Sequence, residues 1–126
     1  MRMTISAEPA ERALLSVTPE SPAAEAARLM ASRGLGAIPV RDRLGCLVGL
    51  ISEHDIVRVV AFRAQGLRGL AVEDVMTRDI VTVLPDTEPK TALELMRSRD
   101  LRHLPVCTPE GRLLGLVGIG DLLHPA

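Results

Sequence analysis

Slid along itself by 66 positions, the 126-residue chain matches itself without a gap, residues 14–57 falling on 80–123. Val17 meets Val83, Pro19 meets Pro85, Met30 meets Met96, Pro39 meets Pro105, Gly45 meets Gly111, Gly49 meets Gly115 and Asp55 meets Asp121. The stretches LMASRGLGAIPV (Leu29–Val40) and LMRSRDLRHLPV (Leu95–Val106) are near doubles. Two copies in one register must share one fold, and two are too few for a solenoid, so the pattern predicts a domain duplication. Each half is marginal in size for a stable core of its own. The halves are therefore expected to pack through a shared apolar face as one module.

Each copy reads as strand–helix–strand–strand–helix, an α+β arrangement. Ser21 suits an N-cap and Pro22 the first helical position, where the missing N–H costs nothing. Ala23, Ala26, Ala27, Leu29 and Met30 then supply an apolar helical face as far as about Arg33. In the second copy Thr87 is the expected N-cap, with Ala92, Leu93, Leu95 and Met96 behind it. Two β-rich runs follow, AIPV and CLVGLI, joined by RDRLG with Gly45 at the turn. HLPV and LLGLV repeat the plan around Pro109 and Gly111. A second helix is expected from about Glu53 to Ala64, matched by GDLLH near the end of the chain. Leading strands are expected at Leu14–Val17 and Ile80–Leu84. The first motif is placed at 8–64, a connector with Gly66 and Gly69 at 65–72, and the second motif at 73–126.

Composition narrows the function. Apolar residues make up 47% and charged residues 25% of the chain, a globular balance. A formal net charge of −1 gives no footprint for nucleic acid. Phe62 is the single aromatic residue, so there is no platform on which bases could stack. An adenine-like ring would have to lie between aliphatic side chains and bond to the backbone. Cys46 and Cys107 belong to no Cys-x-x-Cys pair and read as two buried strand thiols in a reducing cytosol. The N-terminus lacks an apolar run suited to a secretory signal, and nothing resembles a membrane span, which places the protein in the cytoplasm. His54, His103 and His124 have no metal-ligand spacing with the cysteines. Ser52, His54 and Asp55 are neighbours on one short segment and cannot adopt triad geometry. LGLVGIGD is neither a dinucleotide fingerprint nor a P-loop. No catalytic set emerges, and an enzyme is not expected. Ile56, Val57, Val59, Val60 and Phe62 are expected to form core and dimer contacts.

The chemistry-bearing residues cluster where the last strand of each copy meets its helix. In GLISEHD, Ser52 and Asp55 have the spacing of a capping box, in which the two side chains satisfy each other's backbone donors. The same carboxylate, an acceptor only, could instead take both hydroxyls of a ribose, with Ser52 and the helix-start N–H groups facing a phosphate. The second copy, GLVGIGD, keeps Asp121 but has Gly118 where Ser52 stands. It also carries Arg102-His103 where the first has Gly36-Ala37.

The doubled order of elements, with LPV, G-x-L-x-G and a following S-x-x-D, resembles the CBS domain pair, named for cystathionine β-synthase. VEDVMTRDIVTV (Val72–Val83) looks like that family's lead-in, whereas SAEPAERALLSV (Ser6–Val17) lacks the Met-Thr. The resemblance implies two units around a pseudo-two-fold axis, often with an adenosine-containing ligand (AMP, ADP, ATP or S-adenosylmethionine) in the cleft between them. Carried onto this chain, it gives Asp55 the ribose of a principal site, with Ser52, Arg102 and His103 on the phosphate, the basic pair reaching from the other half. Asp121 is left with a degenerate second site, and Ile38, Pro39, Val40, Ile51 and Val83 are candidates for the base. The implied function is a non-catalytic regulatory module, with no resident cofactor or metal. It is expected to be a homodimer that signals to a separate effector protein, since no output domain accompanies it. The alternative is a ligand-free dimerisation module.

Overall fold

The computed structural model describes residues 15–123, which fall into two units, 15–80 and 81–123. The expected lead-in from Ser6, the start of the first motif, Leu14 and His124 lie outside the described residues. The first unit contains α1 (Ala23–Arg33), β1 (Ala37–Arg41), β2 (Leu47–Ser52), α2 (Glu53–Phe62) and the short α3 (Val72–Val75). The second contains α4 (Pro89–Arg99), β3 (His103–Cys107), β4 (Leu113–Gly118) and α5 (Ile119–Leu123). The mixed, duplicated architecture is the one expected.

Each unit is built on an antiparallel hairpin, and the two hairpins share one register. Ala37 faces Ser52 and Val40 faces Gly49, while His103 faces Gly118 and Val106 faces Gly115. Both carry an irregularity at the same place, between Val40 and Arg41 and between Val106 and Cys107. Gly45 and Gly111 turn the chain at φ 85° and 93°, a region glycine enters without steric cost. Asp42 Oδ1 accepts from the Leu44 and Cys46 N–H groups in the first loop, and Thr108 Oγ1 from Arg112 N–H in the second.

Among the described residues the leading strands are not formed. Each reduces to one parallel bridge, Val17 to Val40 and Val83 to Val106. Val17 N–H donates to Pro39 O (3.1 Å) and Arg41 N–H to Val17 O (3.0 Å), and Val83 repeats this with Pro105 and Cys107. Prolines explain the brevity. The next rung outward would need an N–H from Pro19 or Pro85, and the previous one an N–H from Pro39 or Pro105. None has one to give.

Helix starts also shift by one residue. Pro22 and Glu88 are the N-caps, in place of Ser21 and Thr87. The two hydroxyls serve the preceding turn instead: Ser21 Oγ accepts from Thr18 N–H and Thr87 Oγ1 from Leu84 N–H. The first helix ends at Gly34 in the left-handed region (φ 64°, ψ 35°), and its counterpart ends at Asp100 in the same conformation (φ 55°, ψ 48°). Helix α2 stops at Phe62, two residues short of expectation, because Arg63 is extended. Its guanidinium donates to the carbonyls of Gly66 (2.8 Å) and Arg68 (2.7 Å), folding the connector back on itself.

The cores repeat as the sequence does. Val83, Ala92, Met96, Leu104, Val106 and Val117 form the second. Their counterparts Val17, Ala26, Met30, Ile38, Val40 and Ile51 all belong to the first. That first core also holds Ala23, Val72, Val75 and Met76. The last three come from the stretch read as the lead-in of the second motif, so this stretch completes the first unit. Leu50 and Thr77 exchange both backbone hydrogen bonds (3.0 and 2.9 Å) at the free edge of β2. Met76 crosses β2 at Gly49, where an added Cβ would meet its Sδ and lie 2.9 Å from its Cγ.

Candidate functional site

The strand-to-helix junction of the first unit carries the strongest polar constellation among the described residues. Ser52 ends β2 and caps α2: its Oγ accepts from Asp55 N–H (3.2 Å), and Asp55 Oδ2 accepts from Ser52 N–H (2.9 Å). The capping box is therefore real. It does not exhaust the carboxylate. Ser52 Oγ also donates to Oδ2 (3.0 Å), while Oδ1 accepts from Arg58 Nη2 (2.9 Å) and Thr77 Oγ1 (3.1 Å). Asp55 is 2% exposed, the one buried charged side chain among the described residues, and its four donors explain why burial is tolerated.

The second junction is plainer. Asp121 is exposed, and its Oδ2 accepts from Gly118 N–H at 2.8 Å. Without a side chain at Gly118 there is no reciprocal hydroxyl, yet the space is shared. A Cβ there would lie 3.5 Å from Asp121 Oδ2 and 3.6 Å from His103 Cδ2. Arg102 is exposed and its carbonyl accepts from Ile119 N–H (2.8 Å). Arg102, His103, Gly118 and Asp121 thus gather at one end of the second hairpin. In the first unit Gly36, Ala37, Ser52 and Asp55 occupy the matching places, Glu53 N–H donating to Gly36 O (2.9 Å).

The residues considered for base contact lie in the interiors of their own units. Ile38, Val40 and Ile51 are fully buried, Pro39 nearly so, and Val83 is 5% exposed. Only their backbone could meet a ligand, and the Pro39 carbonyl already accepts from Val17. The apolar face of α2 splits. Ile56 and Val59 pack on the core, but Val57 (63%), Val60 (54%) and Phe62 (88%) are exposed and are not core residues. Beside Val57, an apolar groove of about 220 Å³ runs between α1 and α2, lined by Ala27, Met30, Ala31, Leu35, Glu53 and Ile56. Cys107 is buried in β3 as expected, whereas Cys46 is only partly buried and precedes β2; both are thiols. Among the described residues no His, Cys, Asp and Glu side chains converge to hold a metal, and no helix is long and apolar enough to cross a membrane.

Two residues of this site are not evident from sequence. Arg58 lies one helical turn beyond Asp55, so i,i+3 spacing could have flagged it. Thr77 is 22 residues away, and no local pattern points to it.

A hairpin running directly into an acid-bearing helix, built twice in one register, defines a module of two duplicated motifs. The chain belongs to the CBS domain family, whose model matches residues 10–62 and 72–125. It is similar to the CBS-domain protein ATU1752 of Agrobacterium tumefaciens, with 30% identity and a TM-score of 0.81 over 95% of this chain and 97% of that one. An uncharacterised 17.7 kDa protein of Acidianus ambivalens is 40% identical over 106 residues, 84% of this chain and 63% of that protein. Inosine-5'-monophosphate dehydrogenase of Methanocaldococcus jannaschii is 33% identical over 110 residues, 87% of this chain but 21% of the enzyme. The chain thus spans less than two thirds of these curated relatives.

Proposed function

We propose that this chain is a non-catalytic regulatory module that binds an adenosine-containing nucleotide, of the AMP, ADP, ATP or S-adenosylmethionine type, in the cytoplasm. The observation that carries the reading is the acid placed twice in the first turn of the helix leaving a hairpin, at Asp55 and Asp121. Such a carboxylate can take two vicinal hydroxyls at once. Asp55 is the principal ribose acceptor, with Ser52 beside it for the phosphate; in the second unit Arg102 and His103 are the phosphate candidates, and a bidentate guanidinium–phosphate contact is among the stronger charge-assisted bonds. A diol would replace the Arg58 and Thr77 donors one for one, and the released Arg58, 53% exposed, can hydrate. Asp121, open to water, offers the weaker second site.

The mechanism is thermodynamic. A bound nucleotide favours one conformation, and an effector protein responds to that preference by no more than the ligand's differential affinity. At micromolar affinity about 8 kcal/mol is available in total, of which only the differential part acts. The exposed Val57, Val60 and Phe62 on α2 would serve a homodimer contact.

One observation favours a second reading, a ligand-free assembly module: in this structure the Asp55 carboxylate is already filled by the chain's own donors. A thermal-shift series with AMP, ADP, ATP, S-adenosylmethionine and NADH separates the two. Ligand at about 100 times its Kd stabilises by about 2.7 kcal/mol. Arg102→Ala, at an exposed side chain, should remove most of that shift without lowering the ligand-free Tm. No response to any of the five compounds leaves the assembly module as the function.

A further inference from the structure

The four donors to Asp55 are not alike. Ser52 is held by the strand end and the helix cap, and cannot leave Oδ2 without opening α2. The two donors to Oδ1 are freer. Arg58 carries a half-exposed side chain, and Thr77 is an exposed residue in the stretch after α3. A carboxylate has about four acceptor positions, and here the Oδ1 pair is the exchangeable half. Thr77 is also the residue whose backbone pairs with Leu50 at the edge of β2, directly before the chain leaves the first unit at Ile80. One residue therefore joins the acidic centre to the segment that runs on into the second motif.

We infer that Asp55 and Thr77 form a latch. Whatever takes Asp55 Oδ1 releases the Thr77 hydroxyl, loosens the Leu50–Thr77 pairing and so passes the occupancy of Asp55 to residues 76–80. The identity of the occupant, a vicinal diol, rests on the nucleotide reading above; the latch itself does not.

Amide hydrogen exchange on the full chain tests it, with Thr77→Val keeping the side-chain shape and Thr77→Ser restoring the hydroxyl. In ligand-free protein, T77V should speed exchange at the Leu50 amide about tenfold or more, the loss expected for one hydrogen bond to a charged acceptor. Amides inside α1 should not change, and T77S should stay close to wild type. Unchanged exchange at Leu50 in T77V overturns the latch. Saturating AMP on the wild-type protein should speed the same amide; an AMP-bound protein whose Leu50 amide is unchanged or slower overturns the coupling. If none of the five compounds gives a thermal shift, the nucleotide reading falls, and the ligand-free comparison still decides the latch.

Discussion

Asp55→Ala should be far more costly than Asp121→Ala, although the duplication makes the two acids equivalents. The first change removes a reciprocal cap, about 1–2 kcal/mol. It also removes a hydroxyl bond to a charged acceptor from Thr77, about 1.5–3 kcal/mol. The Arg58 pair, more than half exposed on the arginine side, adds less than about 1 kcal/mol. These terms share one carboxylate and are not fully additive, so a loss of about 3–4 kcal/mol is expected. Asp121→Ala forfeits one exposed bond from Gly118 and a favourable charge in a first helical turn, about 1 kcal/mol together. With unfolding entropy near 2.1 cal/mol/K per residue, the 126-residue chain should lose about 11–15 °C in the first case and about 4 °C in the second. Urea titrations followed by circular dichroism measure both losses against a common slope. Equal losses, or a loss below about 1 kcal/mol for Asp55→Ala, would refute the claim that the buried network anchors the first unit.

Other expectations follow from the same geometry. Asp100→Gly should stabilise by about 1 kcal/mol, relieving a left-handed non-glycine residue and a negative charge at a helix C-terminus, and Gly34→Asp should cost a similar amount; paired denaturation curves check the reciprocity. Gly49→Ala should cost about 1–3 kcal/mol by displacing Met76. The loss should shrink when Met76→Ala is added, a non-additivity that a double-mutant cycle reads directly. Val57→Glu with Phe62→Glu should convert the proposed homodimer to monomer in light scattering, and an unchanged mass would remove α2 from the contact.

The fold was largely legible because its main signal is redundant. A gapless repeat fixes the equivalence of two hairpins, two turn glycines and six paired core positions before any element is assigned. What failed did so for local reasons. The leading strands look β-rich, yet Pro19, Pro39, Pro85 and Pro105 leave each a single rung. Ser21 and Thr87 are good N-cap residues, but a hydroxyl can serve the preceding turn as readily as the following helix, and Pro89 sets the second helix start one residue later than Thr87 implies. At the candidate site, Ser52 and Asp55 were legible because a capping box is local in sequence. The saturation of Asp55 was not, because it depends on Thr77, brought in by tertiary packing. The grouping of His103 with Asp121 follows from the strand register, which places His103 opposite Gly118.

The contribution of Val72, Val75 and Met76 to the preceding core bears on how such a gene can be cut and recombined. Severing it at the seam of the sequence repeat, ahead of residue 72, would strip buried anchors from the upstream half. A join placed after Ile80 avoids that injury. An exchange of the first motif alone must then carry residues 72–80, the opening of its neighbour, along with it.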